Sequence, residues 1–310
     1  MTNHTTPGGS ELTPLQHWSD HLAALVERVS PALVHVQGRP RRGSSGTIFA
    51  PDLVITADHT LQQDDDIAIR THDGRQLTAQ IAGRDPSSDL AVLRVPGLGS
   101  VPIAPATTPP RVGQVALAVT RPGNSVTASL GIVSTVGGPL QWWRGPRLEQ
   151  FIRTDASLYP GASGGALLDA SGQVLGIITT GAIRGFDLVI PAAIAWRTAE
   201  SLSANGFVAR GYLGILGQSA RLPQAVREAR SQRNGLLVIG VESNSPAERA
   251  GLLLGDVIVG FDGSQVDDIE DLQTRLTAKA VGDTVSVDVL RAGGLTTVSV
   301  TIGQRQRATA

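Results

Sequence analysis

The chain has 310 residues, 26 Lys and Arg against 27 Asp and Glu, a formal net charge of -1 and no cysteine. That balance excludes binding of nucleic acid or an anionic membrane by bulk charge, and the missing cysteine excludes disulfides, cysteine-based zinc sites and a thiol nucleophile. The length suits two domains of about 150 residues each, and no run of about 20 apolar residues suggests a membrane-spanning helix.

The first residues, MTNHTTPGGSELTPLQ, lack the basic and apolar stretches of a signal peptide. The expected compartment is therefore the cytoplasm, or the cell envelope if a leader is missing. Residues 1–14 read as a disordered arm. Leu15, Trp18, Leu22, Leu25 and Val26 then recur at helical spacing until Pro31, and a strand with Leu33, Val34 and Val36 follows. His17 and His21 stand one helical turn apart. No third ligand has a convincing spacing, so a solvated face is expected there and no metal site.

From 44 to 200 the chain is a series of short apolar or alternating runs, among them GTIFA, DLVITA, DIAIRT, LAVLRV, VALAVT, SLGIVSTV and VLGIITT, punctuated by Gly, Pro, Asp and Ser. The rhythm predicts a β-sandwich or barrel rather than βαβ units. PAAIAWRTAESLSANG closes the region as a helix, with Gly206 at its C-terminal end. A second unit begins near 208. Its strands at YLGILG, GLLVIGV, DVIVGFDG, TVSVDVLR and TTVSVTIG and its helices at SPAERAG and IEDLQTRLTAKA predict a mixed α/β domain of about 95 residues.

The segment SLYPGASGGALLD, residues 157–169, places Ser163 between small residues and two glycines. Alone it reads equally as a nucleophile or as a tight turn. A serine nucleophile needs a base, and the base needs an orienting acid. Of the six histidines, His4 lies in the arm, His17 and His21 on the first helix, and His72 in a hairpin turn. His35 alternates with Val34 and Val36 and is expected to face solvent. His59 remains, in DLVITADHTL, where a buried strand enters a short polar turn.

LVITADHTL, DGRQLTAQIAGRDPSSDLAVLRV, RTDASLYPGASGGALLDASGQVLGI and SPAERAGLLLGDVIVGFDG occur in this order. Together they resemble the HtrA family of serine proteases over residues 30–305. The resemblance implies a mainly β chain: a double six-stranded Greek-key β-barrel of chymotrypsin-like type over 15–204, a small α/β PDZ domain over 205–305, and a tail at 306–310. It implies His59 as general base, Asp89 as orienting acid and Ser163 as nucleophile. Asp85 is a rival acid, but Asp89 leads directly into the buried strand LAVLRV. The backbone N–H groups of Gly161 and Ser163 would form the oxyanion hole. Ser157, Ile177 and Thr179 would build the S1 pocket. No carboxylate falls at its expected floor, which favours small or medium apolar P1 residues over Arg or Lys. No cofactor is implied.

In the second domain the same resemblance makes GYLGI, Gly211, Tyr212, Leu213, Gly214 and Ile215, the loop that captures a C-terminal carboxylate. Ile269, Leu272 and Leu276 would wall the peptide groove, unless their helical spacing only marks core. The implied function is endoproteolysis of unfolded or misfolded protein. The alternative is a weak or inactive homologue acting as chaperone or peptide sensor, against which the complete triad argues. A homotrimer is implied, with Trp18, Leu22 and Leu25 either at the subunit contact or packed on their own barrel. Three positions depart from the family's pattern. Ala162 and Tyr159 replace asparagines and are expected to loosen or reshape the oxyanion loop. Asp58 precedes the base; if it comes near the ring, it is expected to favour the imidazolium form and move the activity optimum to higher pH.

Overall fold

The computed structural model describes residues 13–63, 66–99, 101–141, 147–183, 186–208, 211–277, 279 and 281–304. The chain divides into two compact units, residues 1–208 and 209–310. The arm expected over 1–14 lies outside the described residues except for its last two positions, which belong to a helix start. Thr13 is the N-cap of α1 (Pro14–Val29), its hydroxyl accepting from Gln16 N–H while Gln16 Oε1 accepts from Thr13 N–H at 2.8 Å. This reciprocal capping satisfies donors that a helix start leaves free. His4 and the tail at 306–310 also lie outside the described residues.

Strands β1 (Leu33–Gln37), β2 (Ser44–Ala50), β3 (Leu53–Ala57), β4 (Ile67–Arg70), β5 (Gln76–Asp85) and β6 (Leu90–Arg94) close into a barrel in the order β1-β2-β3-β6-β5-β4. Next come β7 (Val115–Thr120), β8 (Thr127–Gly137), the short pair β9 (Leu140–Gln141) and β10 (Arg147–Leu148), β11 (Phe151–Thr154), β12 (Ala166–Leu168), β13 (Val174–Ile183) and β14 (Phe186–Pro191). A second closed barrel runs β11-β14-β13-β12-β7-β8. Helix α2 (Ala192–Asn205) follows and ends on Gly206 at φ 80°, a left-handed cap that glycine adopts without a Cβ clash.

Strand alternation sorts the apolar residues between two interiors and the seam between them. Val34, Val36, Ile48, Val54, Ala91 and Leu93 fill the first barrel. Their strand neighbours Leu33, Phe49, Ile55, Leu90 and Val92 face the other way and pack with Val119, Ile177, Ile190 and helix α2. Because both faces of these strands are covered, the runs read as nearly continuous apolar sequence rather than alternation. The seam also receives Leu25 and Val29 of α1, whereas Leu15 and Trp18 are 72% and 44% exposed. One end of that helix therefore packs on the barrels and the other stands free of them.

The second unit holds β15 (Gly211–Tyr212), β16 (Ile215–Arg221), α3 (Gln224–Arg230), β17 (Asn234–Val241), α4 (Pro246–Arg249), β18 (Val257–Phe261), β19 (Ser264–Gln265), α5 (Ile269–Thr277), β20 (Thr284–Arg291), β21 (Gly294–Thr301) and β22 (Gly303–Gln304). Its sheet runs β16-β17-β18-β20-β21, with β19 beside β18, and β15 pairs with β22. Leu236, Val238, Ile258, Phe261, Val287 and Val289 form its core, closed by Leu272 and Leu276 of α5. Within the described sheet β16 pairs on one side only, with β17, and leaves an open edge.

Candidate active site

Strand β3 delivers His59. The strand ends in one 3-10 turn, Asp58–Thr60, fastened by Leu61 N–H to Asp58 O at 3.0 Å and by the Thr60 hydroxyl to Ala57 O at 2.7 Å. The neighbouring strand β6 begins just after Asp89, whose φ of 56° turns the chain sharply before the strand. Asp is among the few side chains that adopt this region readily. The turn aims the Asp89 carboxylate at His59: Nδ1 lies 3.0 Å from Oδ1 and 2.8 Å from Oδ2, and the His59 backbone N–H donates to Oδ1 at 2.9 Å. Asp89 is buried, with a side chain 4% exposed against 25% for His59. Its Oδ2 also accepts from the Thr179 hydroxyl. A carboxylate only accepts, so Nδ1 carries the proton and Nε2 is left with a lone pair.

Asp85, the rival acid, accepts instead from the hydroxyls of Ser87 at 2.6 Å and Ser88 at 2.5 Å and caps its own turn. The condition set for Asp58, a carboxylate near the imidazole, is not met. Its carboxylate meets Arg84 Nε at 2.5 Å, and Arg84 Nη2 reaches the Asp58 and Leu61 carbonyls. The 3-10 turn separates the side chains of adjacent residues, so Asp58 points into the barrel wall and His59 out of it. His35 is also corrected. It is half-buried over Gly43, where a Cβ would fall 1.9 Å from the ring, and its Nε2 lies 3.2 Å from Gln37 Oε1.

The loop that carries Ser163 is tied to the first barrel by hydrogen bonds to its carbonyls. Ser45 N–H donates to Ser163 O at 2.9 Å, the Ser45 hydroxyl to Gly161 O at 2.9 Å, and the Thr47 hydroxyl to Gly164 O at 2.9 Å. Gly164 has φ 85°, and a Cβ there would sit 2.0 Å from Ser45 O, so only glycine allows this approach. Ala162 and Tyr159, expected to loosen or reshape the oxyanion loop, both take part in its closure. The loop closes on itself through Ala162 N–H to Tyr159 O at 3.0 Å and Gly165 N–H to Ala162 O at 2.9 Å, and Ala162 is 1% exposed in the core of the second barrel. Gly161 takes φ 87°. Among the described residues the N–H groups of Gly161 and Ser163 have no acceptor, so both are free to receive an oxyanion.

Among the described residues Ser163 Oγ makes no hydrogen bond with His59. It accepts from Thr180 N–H at 3.0 Å and lies 2.9 Å from Thr180 Oγ1 and 3.2 Å from Thr180 O. The residues expected to line S1 are elsewhere. Ile177 is fully buried in the seam, Thr179 is 3% exposed and bonded to Asp89, and Ser157 is exposed with its N–H on the Ser129 hydroxyl. The alternation of β13 turns odd-numbered side chains away from the pocket. A cleft of about 670 Å³ beside His59 is lined instead by Leu158, Tyr159, Gly161, Thr180, Gly181 and Asp187. Sequence reading placed Thr179 in S1 rather than against Asp89, and it missed Thr180 and Asp187. Counting by twos along β13 from the core residue Ile178 would have reached Thr180, and the following hairpin would have brought Asp187 opposite it. Among the described residues no group of three or more His, Asp or Glu could hold a metal ion, and His21 Nε2 lies 2.9 Å from Ala170 O.

In the second unit, Leu213 O accepts from Ala247 N–H and Gly214 O from Glu242 N–H, both at 2.8 Å. The N–H groups of Leu213 and Gly214 have no acceptor among the described residues. Gly214 has φ 82°, and a Cβ there would lie 2.3 Å from Ser245 Cβ. Tyr212 donates its hydroxyl to Glu242 Oε2 at 2.5 Å. Leu272 and Leu276, expected to wall a groove, are 1% and 7% exposed and belong to the core, while Ile269 is only partly buried.

Residues 44–177 match the family model of the trypsin-like peptidase domain, and residues 212–302 match that of the PDZ domain. The chain is 34% identical over 270 residues to the protein of Ectopseudomonas mendocina named "probable periplasmic serine endoprotease DegP-like", covering 84% of this chain and 56% of that one. It spans about half the length of the first curated relatives it matches. HhoA of Synechocystis sp. is 34% identical over 285 residues, covering 86% of this chain and 72% of that protein. Among solved structures, the HtrA-type protease AlgW with tripeptide superposes with a TM-score of 0.73 at 31% identity, covering 92% of this chain and 97% of that one. The serine endoprotease from Yersinia pestis gives 0.73 at 29%, with 92% and 98% covered. No described helix is long and apolar enough to cross a membrane.

Proposed function

The chain belongs to the HtrA-type serine protease family, and from that premise we propose that it is a serine endopeptidase with Ser163 as nucleophile, His59 as general base and Asp89 as the acid that orients it. The observation that carries this reading is the bidentate approach of Asp89 to His59 Nδ1 at 2.8 and 3.0 Å, beside a serine whose loop presents two free N–H groups. Asp89 fixes the tautomer, so Nε2 faces the cleft able to take the Ser163 proton and pass it to the leaving amine. The oxygen of the tetrahedral intermediate falls to Gly161 and Ser163 N–H, each such donor being worth about 2.7–4 kcal/mol. The bond from Ser163 to Thr180 makes this a resting arrangement: the hydroxyl rotates to His59 when substrate enters. Catalytic hydrogen bonds commonly tighten only in the substrate complex.

The substrates are extended segments of unfolded or misfolded protein, since a cleft beside two barrels admits a chain only in extended form. The PDZ unit takes a C-terminal peptide as an added strand on β16, its carboxylate on the N–H groups of the Gly211–Ile215 loop. The exposed Leu15 and Trp18 on α1 support a subunit contact in a homotrimer. The periplasmic names of the relatives support work in the cell envelope rather than the cytoplasm. Fluorophosphonate labelling of Ser163 and degradation of casein, each with and without an apolar C-terminal peptide, test the reading. Ser163→Ala should abolish both, a loss of about 10⁶ in turnover. Absence of labelling in wild type under every condition would overturn it.

A further inference from the structure

We propose that Asp187 forms the charged wall of the S1 pocket and selects substrates with Lys or Arg immediately before the scissile bond. The proposal rests on Ser163 being the nucleophile and extends that reading to the substrate. Its basis is register. On β13, Ile178 points into the second barrel, among Ala162, Leu167 and Val189. Thr180 is two residues on and emerges on the same face, where its hydroxyl lies 2.9 Å from Ser163 Oγ. Strand β14 runs antiparallel, pairing Ile178 with Val189 and Thr180 with Asp187. Directly paired residues share a face, with Cβ atoms about 4.5–5.5 Å apart. Asp187 therefore occupies the next step outward from the core residue Val189, at the mouth of the barrel and on the side of the nucleophile.

Three further observations fit a long cationic side chain. Asp187 is exposed, lines the cleft shared with His59 and Gly161, and makes no hydrogen bond or ion pair among the described residues. Gly181, beside Thr180, has φ 79° and nothing within 4 Å of the position a Cβ would take, so the rim is bare where the side chain must pass. Leu158 packs on the barrel interior and offers an apolar flank to a methylene stem. A guanidinium or ammonium then reaches the carboxylate through charge-assisted hydrogen bonds, which an apolar P1 residue cannot make. The other charged groups in the cleft, Arg39 and Arg42 beside Gly43, make no ion pair with Asp187 among the described residues. This reverses the preference expected from the sequence, where no carboxylate fell at the assumed pocket floor.

The test uses the full chain and fluorogenic peptides that differ only at P1, carrying Arg, Lys, Val or Asp, with fluorophosphonate titration to count active sites. Wild type should prefer Arg and Lys to Val, and Asp187→Asn should lower the Arg-to-Val ratio of kcat/KM by roughly 10- to 100-fold. Asp187→Lys should bring P1 Asp above P1 Arg. Ratios unchanged in titratable Asp187→Asn, or a wild type that prefers Val, would overturn the proposal while leaving the protease reading intact. Wild type that neither labels nor cleaves any peptide would remove both.

Discussion

Thr180→Val probes the resting position of Ser163, the proposed nucleophile. Ser163 Oγ is held by three atoms of Thr180: its N–H at 3.0 Å, its carbonyl at 3.2 Å and its hydroxyl at 2.9 Å. Valine keeps the shape and both backbone contacts and deletes only the hydroxyl. One such hydrogen bond has a net worth of about 0.5–1.5 kcal/mol. Removing it should raise the population of Ser163 turned toward His59 by roughly 2- to 13-fold, since about 1.4 kcal/mol is a factor of ten. The assay is the second-order rate of fluorophosphonate labelling without activating peptide, which requires the serine and its base together. Thr180→Ser is the control, because it keeps the hydroxyl and loses the methyl. The expected result is faster labelling in the valine variant and an unchanged rate in the serine variant. Equal rates in all three proteins, or equal increases in both variants, would refute the view that this hydroxyl holds the nucleophile at rest.

Two other perturbations test the surrounding framework. Asp58→Ala strips Arg84 of a carboxylate at 2.5 Å and should cost about 1–3 kcal/mol of stability in urea. The pH–rate profile of the folded variant should overlay that of wild type, because Asp58 faces the barrel wall. In the second unit, burial alone would push the Asp256 carboxyl up. The Arg291 N–H groups at 2.7–2.8 Å and Leu253 N–H at 2.8 Å outweigh it and hold the carboxyl below the ordinary carboxylate range. A carboxyl depressed in the folded state adds stability above its unfolded pKa of about 3.9 and loses it as pH falls through the folded value. Thermal melts should therefore show the transition of this unit dropping below about pH 4, and Arg291→Met should lower it at pH 7 and flatten that acid dependence.

The family and the order of its motifs were legible in the sequence, because both depend on local signals. His59 follows an apolar strand into a polar turn, Asp89 opens the next buried strand, and Ser163 sits where Gly161 and Gly164 take positive φ. The GYLGI loop came from the family resemblance, and the open edge of β16 beside it from the sheet order.

Orientation was not legible, and only the tertiary structure decided it. Whether Asp58 faces His59 or Arg84 depends on a single 3-10 turn and on where β5 passes. Whether Ile177, Thr179 or Asp187 lines the pocket depends on the pairing of β13 with β14, and a slip of one residue would exchange every side chain between core and cleft. The direction of the Ser163 hydroxyl depends on Thr180, seventeen residues away along the chain. The sequence names the groups that can react, through patterns confined to a few residues. Which of them meet is set by long-range strand register and by packing between two barrels, and no local pattern encodes either.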